Sequence, residues 1–158
     1  MLFLLKPEVA GGFGENTQIR KPDDEPLVSK HVVHLHYEFE GWLGDELLTS
    51  HPCYIVTDRV SELLKRSGCT GLHFETVEVS TSEMFLELEP NVTLPSFKRM
   101  IPLGSIVLEG DTFEDWSGHD FSMNERCRLV VSEKALEVLQ PYIKNYCVII
   151  PLTPKLKN

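Results

Sequence analysis

The strongest constraint on the fold comes from residues 129–152, which read as a strand, a capped short helix and a second strand, and from a weaker copy lying 75 residues earlier. Val56, Glu62 and Leu64 recur without a gap as Val131, Glu137 and Leu139. Thr57, Asp58, Arg59 and Leu63 match Ser132, Glu133, Lys134 and Val138 in kind. In each copy a Ser or Thr stands where its hydroxyl can accept an amide of the first helical turn. The acid after it suits the positive end of the helix dipole. Val60, Leu63 and Leu64 in the first copy, and Ala135, Val138 and Leu139 in the second, form stripes at helical spacing that face a core. Gly68 stops the first helix, and Pro141 ends the second near Gln140.

The flanks of these helices read as strands. Residues 53–56 and 72–79 bracket the first, which predicts a βαβ unit with a right-handed crossover. Residues 129–131 and the apolar run 146–150 bracket the second, and the run predicts a strand covered on both faces. Elsewhere the chain alternates. Val33, Leu35, Tyr37 and Phe39 share one face of a strand over 31–39, with His34, His36 and Glu38 on the other. Met84, Leu86 and Leu88 alternate over 83–89, short strands are expected at 2–5, 97–101 and 105–108, and 121–123 leads to a turn at Asn124-Glu125. Gly11, Gly12 and Gly14 mark an irregular segment, residues 20–26 a solvated loop, and 154–158 a frayed basic tail. The expected fold class is α+β: a mixed, mostly antiparallel sheet with two short helices, built from two similar strand-helix-strand units. Residues 1–158 form one domain in this reading.

A net charge of −9 argues against binding to a phosphate backbone, which needs clustered Lys and Arg. It favours either plain solubility or a basic partner. No apolar run is long enough to span a bilayer, and residues 1–7 lack the basic start of a signal peptide. A cytoplasmic protein with no nucleic-acid or membrane partner is expected. Cys53, Cys69, Cys127 and Cys147 have no metal-binding spacing and read as buried reduced thiols.

Three constellations bear on chemistry. His34 and His36 sit two apart on a strand, a spacing that can point both rings at one metal. His51, His73, His119 or Asp120 would have to complete the shell, and no third ligand is fixed by spacing. Asp45-Glu46 and Glu114-Asp115 are adjacent acids, which read as solvated pairs. The third constellation is the loop 109–120, in which Asp111, Phe113, Glu114, Asp115, Trp116, His119 and Asp120 combine aromatic surface with carboxylates. Such a loop suits contact with a basic protein, because Trp anchors interfaces and charge steers encounter. The competing reading folds Trp116 back onto the core. No nucleophile stands in a recognisable setting, and nothing asks for a cofactor.

Lys6-Pro7-Glu8-Val9-Ala10-Gly11-Gly12, Gly41-Trp42-Leu43-Gly44-Asp45-Glu46-Leu47-Leu48, the two capped helices, and Trp116-Ser117-Gly118-His119-Asp120-Phe121 ahead of Leu129-Val130-Val131-Ser132-Glu133 occur in this order over nearly the whole chain. Together they resemble immunity proteins of bacterial polymorphic toxin systems. The resemblance implies a small cytoplasmic protein without catalysis that binds and neutralises a cognate toxin. It brings no toxin-contact set with it, so the 109–120 residues stand as the contact surface on their own chemistry. Two rivals remain at this level: a metal-dependent enzyme using His34 and His36, and a protein-binding module with no toxin partner.

Overall fold

The computed structural model describes residues 1–156. Strands β1 (Leu2–Lys6), β2 (Gly11–Phe13), β3 (Gln18–Ile19), β4 (Val32–His34), β5 (His36–Phe39), β6 (Leu47–Ser50) and β7 (Cys53–Thr57) lead into helix α1 (Asp58–Ser67). Strands β8 (Leu72–Thr76) and β9 (Glu78–Thr81) precede helix α2 (Glu83–Leu88). Then come β10 (Phe97–Pro102), β11 (Gly104–Ser105), β12 (Val107–Glu109), β13 (Thr112–Glu114), β14 (Phe121–Met123) and β15 (Leu129–Ser132). Helix α3 (Glu133–Leu139) and strand β16 (Val148–Pro154) complete the order. The class is α+β and the pairing mostly antiparallel, distributed over several sheets, one of them nearly closed on itself.

The two copies share one topology. β6, β7, β10 and β8 lie side by side, with β10 antiparallel to both neighbours. β14, β15, β1 and β16 lie in the same arrangement, with β1 antiparallel to both neighbours. Each unit is therefore a hairpin, a helix and a parallel return strand, split by one inserted antiparallel strand. In the first unit the insert follows in the chain. In the second it is the N-terminal strand, so β1 takes the place that β10 holds in its counterpart. The expected βαβ neighbours are thus never in contact, because a third strand fills the gap between them.

Local chemistry accounts for the helices. Thr57 Oγ1 accepts from Val60 N at 3.3 Å, and Ser132 Oγ accepts from Ala135 N at 3.1 Å. Gly68 closes α1 with φ +77°, a conformation glycine adopts without penalty. Val60 and Leu64 of α1 and Ala135, Leu136 and Leu139 of α3 are buried in one cluster with strand residues of both units, including Leu5, Val56, Met100, Leu129 and Val131. The two helices thus bury their stripes in a shared core. A second cluster forms around Phe39, whose ring meets Tyr37, Trp42, Phe85 and Phe97 at centroid distances of 5.0–6.3 Å.

Several expectations need correction. Residues 83–88 are helical, so the described residues hold three α-helices. Ser82 Oγ accepts from Phe85 N at 3.1 Å and starts the turn. Only Phe85 of this helix is buried, so the alternation of Met84, Leu86 and Leu88 marks exposed positions and no strand face. The segment 31–39 breaks at Leu35, with β4 pairing β3 and β5 pairing β2 and β9. Residues 72–81 likewise change sheet at Val77. The last strand begins only at Val148 and is half-covered, because its only buried residue is Leu152. Cys53 and Cys127 are buried, but Cys69 and Cys147 are only partly so. Of the basic tail expected at 154–158, Lys157 and Asn158 lie outside the described residues.

Candidate functional site

The sequence places the aromatic acids on a loop, and the structure folds its first part into a hairpin. Glu109 pairs with Thr112 across a two-residue Gly110-Asp111 turn, with Gly110 at φ +59°. β13 also pairs with β16 in parallel, fixed by Thr153 N to Asp111 O at 3.0 Å and Lys155 N to Phe113 O at 2.8 Å. β11 and β12 stand at opposite ends of the seven-strand order yet are joined by Ile106 alone, so the sheet curls round until its ends meet. Ile106 lies inside the curl with Leu2, Leu4, Val130 and Leu152. Ser117 ties the returning loop to this seam, its Oγ accepting from Ser105 N at 3.0 Å and its N donating to Ser105 O at 2.9 Å. The loop 109–120 is therefore the closure of a curled sheet.

Asp111, Glu114, Asp115 and His119 are exposed, and Phe113 and Asp120 half-buried. Asp115 adopts φ +51°, in the left-handed region that Asp tolerates better than most residues. Lys155 lies 3.0 Å from Glu109 and 3.7 Å from Glu114, whereas Asp111 and Asp115 make no ion pair among the described residues. Trp116 remains 39% exposed, its Nε1 donating to His119 O at 3.0 Å. Beside it opens an apolar cleft of about 520 Å³, lined chiefly by Met1, Leu2, Phe113, Trp116, Leu152 and Pro154 and reaching the first turn of α3. A cleft of this size can seat one or two anchoring side chains of a partner.

Asp120 has a different task. Its Oδ1 accepts from Ser132 Oγ at 2.6 Å, and its Oδ2 accepts from Thr70 N at 2.8 Å and lies 3.3 Å from Thr70 Oγ1. One carboxylate thus joins the α3 cap of the second unit to the turn beyond α1 of the first. Burial disfavours its charge, but these hydrogen bonds and nearby Lys134 outweigh that and hold the carboxyl below its ordinary value.

The pair Asp45-Glu46 is not solvated: both residues are buried. Asp45 accepts from Asn145 N, Tyr146 N and Cys147 N at 2.8, 3.0 and 3.2 Å. Glu46 accepts from Arg59 Nε and Nη2 and from the Thr57 hydroxyl. Glu8, also buried, accepts from Leu43 N at 2.7 Å and more weakly from Asp45 N at 3.4 Å. Three carboxylates are thus spent on backbone and guanidinium donors. Their partners lie up to 102 residues away, beyond the reach of any local pattern.

His34 and His36 do converge, but on Glu78. His34 Nε2 lies 3.0 Å from Glu78 Oε1, and Asn16 Nδ2 donates to Glu78 Oε2 at 2.8 Å. Both nitrogens of His36 are engaged, Nδ1 by Asn16 N at 3.2 Å and Nε2 by Ser80 Oγ at 2.7 Å. The cluster therefore clasps the glycine-rich segment to β5 and β9. Gly14 lies against the His36 ring where a Cβ would collide with it. Of the other histidines named for a shell, His73 pairs with Glu75 at 3.2 Å and His119 belongs to the seam loop. Among the described residues no helix is long and apolar enough to cross a membrane. No protein-family model matches the sequence, and no curated protein matches it significantly.

Proposed function

We propose that this protein is a cytoplasmic immunity protein that binds a cognate bacterial toxin and neutralises it by contact, without catalysis. One observation carries the reading: exposed Trp116 lines an apolar cleft, which Glu133 and Lys134 also border, and the adjoining hairpin segment exposes Asp111, Glu114 and Asp115, with Lys155 the only cation paired to the hairpin among the described residues. An aromatic anchor at an apolar recess, next to a hairpin that exposes three acids, suits a basic protein surface. The toxin as partner rests on the resemblance of the motif order to immunity proteins alone. Asp111, Phe113, Glu114, Asp115, Trp116 and His119 are the contacts in this reading, and Asp120 holds their loop in place.

The test is co-expression with the product of an adjacent toxin gene, followed by pull-down and a viability assay. A stable complex and surviving cells are expected. No complex, with cells killed at normal levels of this protein, would overturn the proposal.

A further inference from the structure

Three chain segments leave the three-stranded sheet at one end. Phe39, the last residue of β5, faces Gly11 at the start of antiparallel β2 and Thr81 at the end of parallel β9. Residues 8–10, residues 40–43 and helix α2 therefore emerge together. Hydrogen bonds hold them: Glu40 N and Gly41 N donate to Ala10 O at 2.9 and 3.1 Å, and Ser82 N donates to Phe39 O at 2.9 Å. Phe85 anchors α2, its ring 6.2 Å from that of Phe39. The other apolar side chains face outward: Met84, Leu86 and Leu88 are 57%, 57% and 67% exposed, and Val9 and Leu43 on the neighbouring segments 65% and 62%. Helical spacing puts Met84 and Leu88 on one flank and Glu83 and Glu87 along the crown. A cleft of about 400 Å³ opens along the two neighbouring segments, bounded by Glu8, Val9, Glu40, Trp42, Leu43 and Tyr146.

The charge here is one-sided. Residues 7–13, 40–48 and 77–97 contain no Lys or Arg, and the cations nearest the cleft in sequence are Lys6, two residues before Glu8, and Lys144, two residues before Tyr146. Glu40, Glu83, Glu87 and Glu89 make no ion pair among the described residues. Glu89 Oε2 is buried without a hydrogen-bond partner. Burial and the like charges of Asp45 and Glu89 raise the Glu8 carboxyl above its ordinary value, although two amides pull it down.

We infer that this end of the sheet is a docking face for a protein surface that carries apolar side chains ringed by Lys and Arg. Covering Met84, Leu86, Leu88, Val9 and Leu43 supplies the apolar gain, and the ring of cations supplies the partners that the glutamates lack. A second copy of this chain has the wrong chemistry. A two-fold contact through α2 would set Glu83 and Glu87 against their own images with no basic residue on the helix to offset them. The face shares no residue with the 109–120 hairpin, so it stands or falls independently of the toxin reading.

The methionines allow a residue-specific test. Met84 reports on α2 and Met1 on the hairpin cleft, while buried Met100 reports on the core. The full chain, with methyl-labelled methionine, is titrated by NMR with a synthetic amphipathic Leu/Lys helical peptide and with its Leu/Glu counterpart. The Met84 signal is expected to move saturably with the Leu/Lys peptide and to stay put with the Leu/Glu peptide. Glu83→Lys/Glu87→Lys is expected to weaken that response about tenfold while Met100 is unchanged. Leu88→Ser, which alters a mostly exposed side chain, should weaken it several-fold. An unmoved Met84 signal, equal responses to both peptides, or undiminished affinity in both variants overturns the inference. A Met84 signal that shifts with protein concentration alone would mark self-association and overturn the choice of occupant.

Discussion

Asp45 accepts three backbone amides from the strap at residues 145–147 while fully buried, so it anchors the chain just before β16 to the start of the first unit. Asp45→Ala leaves those amides without their acceptor and should cost about 2 kcal/mol in chemical denaturation, as expected for a buried charged acceptor serving several part-buried donors. A loss under about 0.5 kcal/mol would show that the strap is held by other contacts. Glu46 and Asp120 act with a common sign. Burial opposes ionisation of both, but Arg59 and Thr57 hold the first below its ordinary 4.5, and Ser132 and Thr70 hold the second below its ordinary 3.8. A depressed carboxyl contributes stability that is fully present above its unfolded value and is lost as pH falls through the folded one. Melting temperature should therefore fall on acidification below about pH 4.5, and the fall should be shallower in Asp120→Asn than in the parent. An equally steep decline in the variant would remove Asp120 from the linkage. Glu8 has the opposite sign: its raised carboxyl favours the folded state at low pH and loses that contribution as pH rises through the folded value.

Elements differ in how much of them the residues announce. The caps Thr57 and Ser132, the stop at Gly68 and the buried Val60, Leu64, Ala135 and Leu139 are legible, because each depends on neighbours within a turn. Leu63 and Val138 of the expected stripes are only half-buried, and Leu136 is buried in their place. The strands inserted between the halves of each unit are not, since nothing in β10 or β1 names the partners it will separate. Helix α2 is misread for a local reason. Its period-2 alternation looks like a strand face, but Ser82 caps it and Phe85 alone enters the core. The exposed acids follow from the composition of 109–120, whereas the hairpin that carries them and the cleft beside Trp116 are unforeseen, because the hairpin is fixed by pairing with β16, and residues of β1, β16 and α3 wall the cleft. The contrast is measurable. Leu64→Ala or Leu139→Ala, each fully buried where the units meet, should cost about 2–5 kcal/mol. Met84→Ser should cost under about 0.5 kcal/mol, and a core-sized loss there would contradict its exposed placement.

On the scale of the whole molecule, two split units of one topology pack helix against helix, and the curled sheet of the second closes through the 109–120 segment. The architecture leaves the closing hairpin free to carry Trp116 and its acids, since the rest of the seam is fixed by Ser117, Asp120 and β16. In the function proposed above, this hairpin meets a toxin. The direct measurement is the affinity of Asp111→Lys/Glu114→Lys/Asp115→Lys for the purified toxin by calorimetry, with melting temperature recorded alongside. The expected result is an affinity at least about tenfold weaker and lost protection in cells, with a melting temperature within a few degrees of the parent. Parental affinity and full protection by a folded triple variant would contradict it.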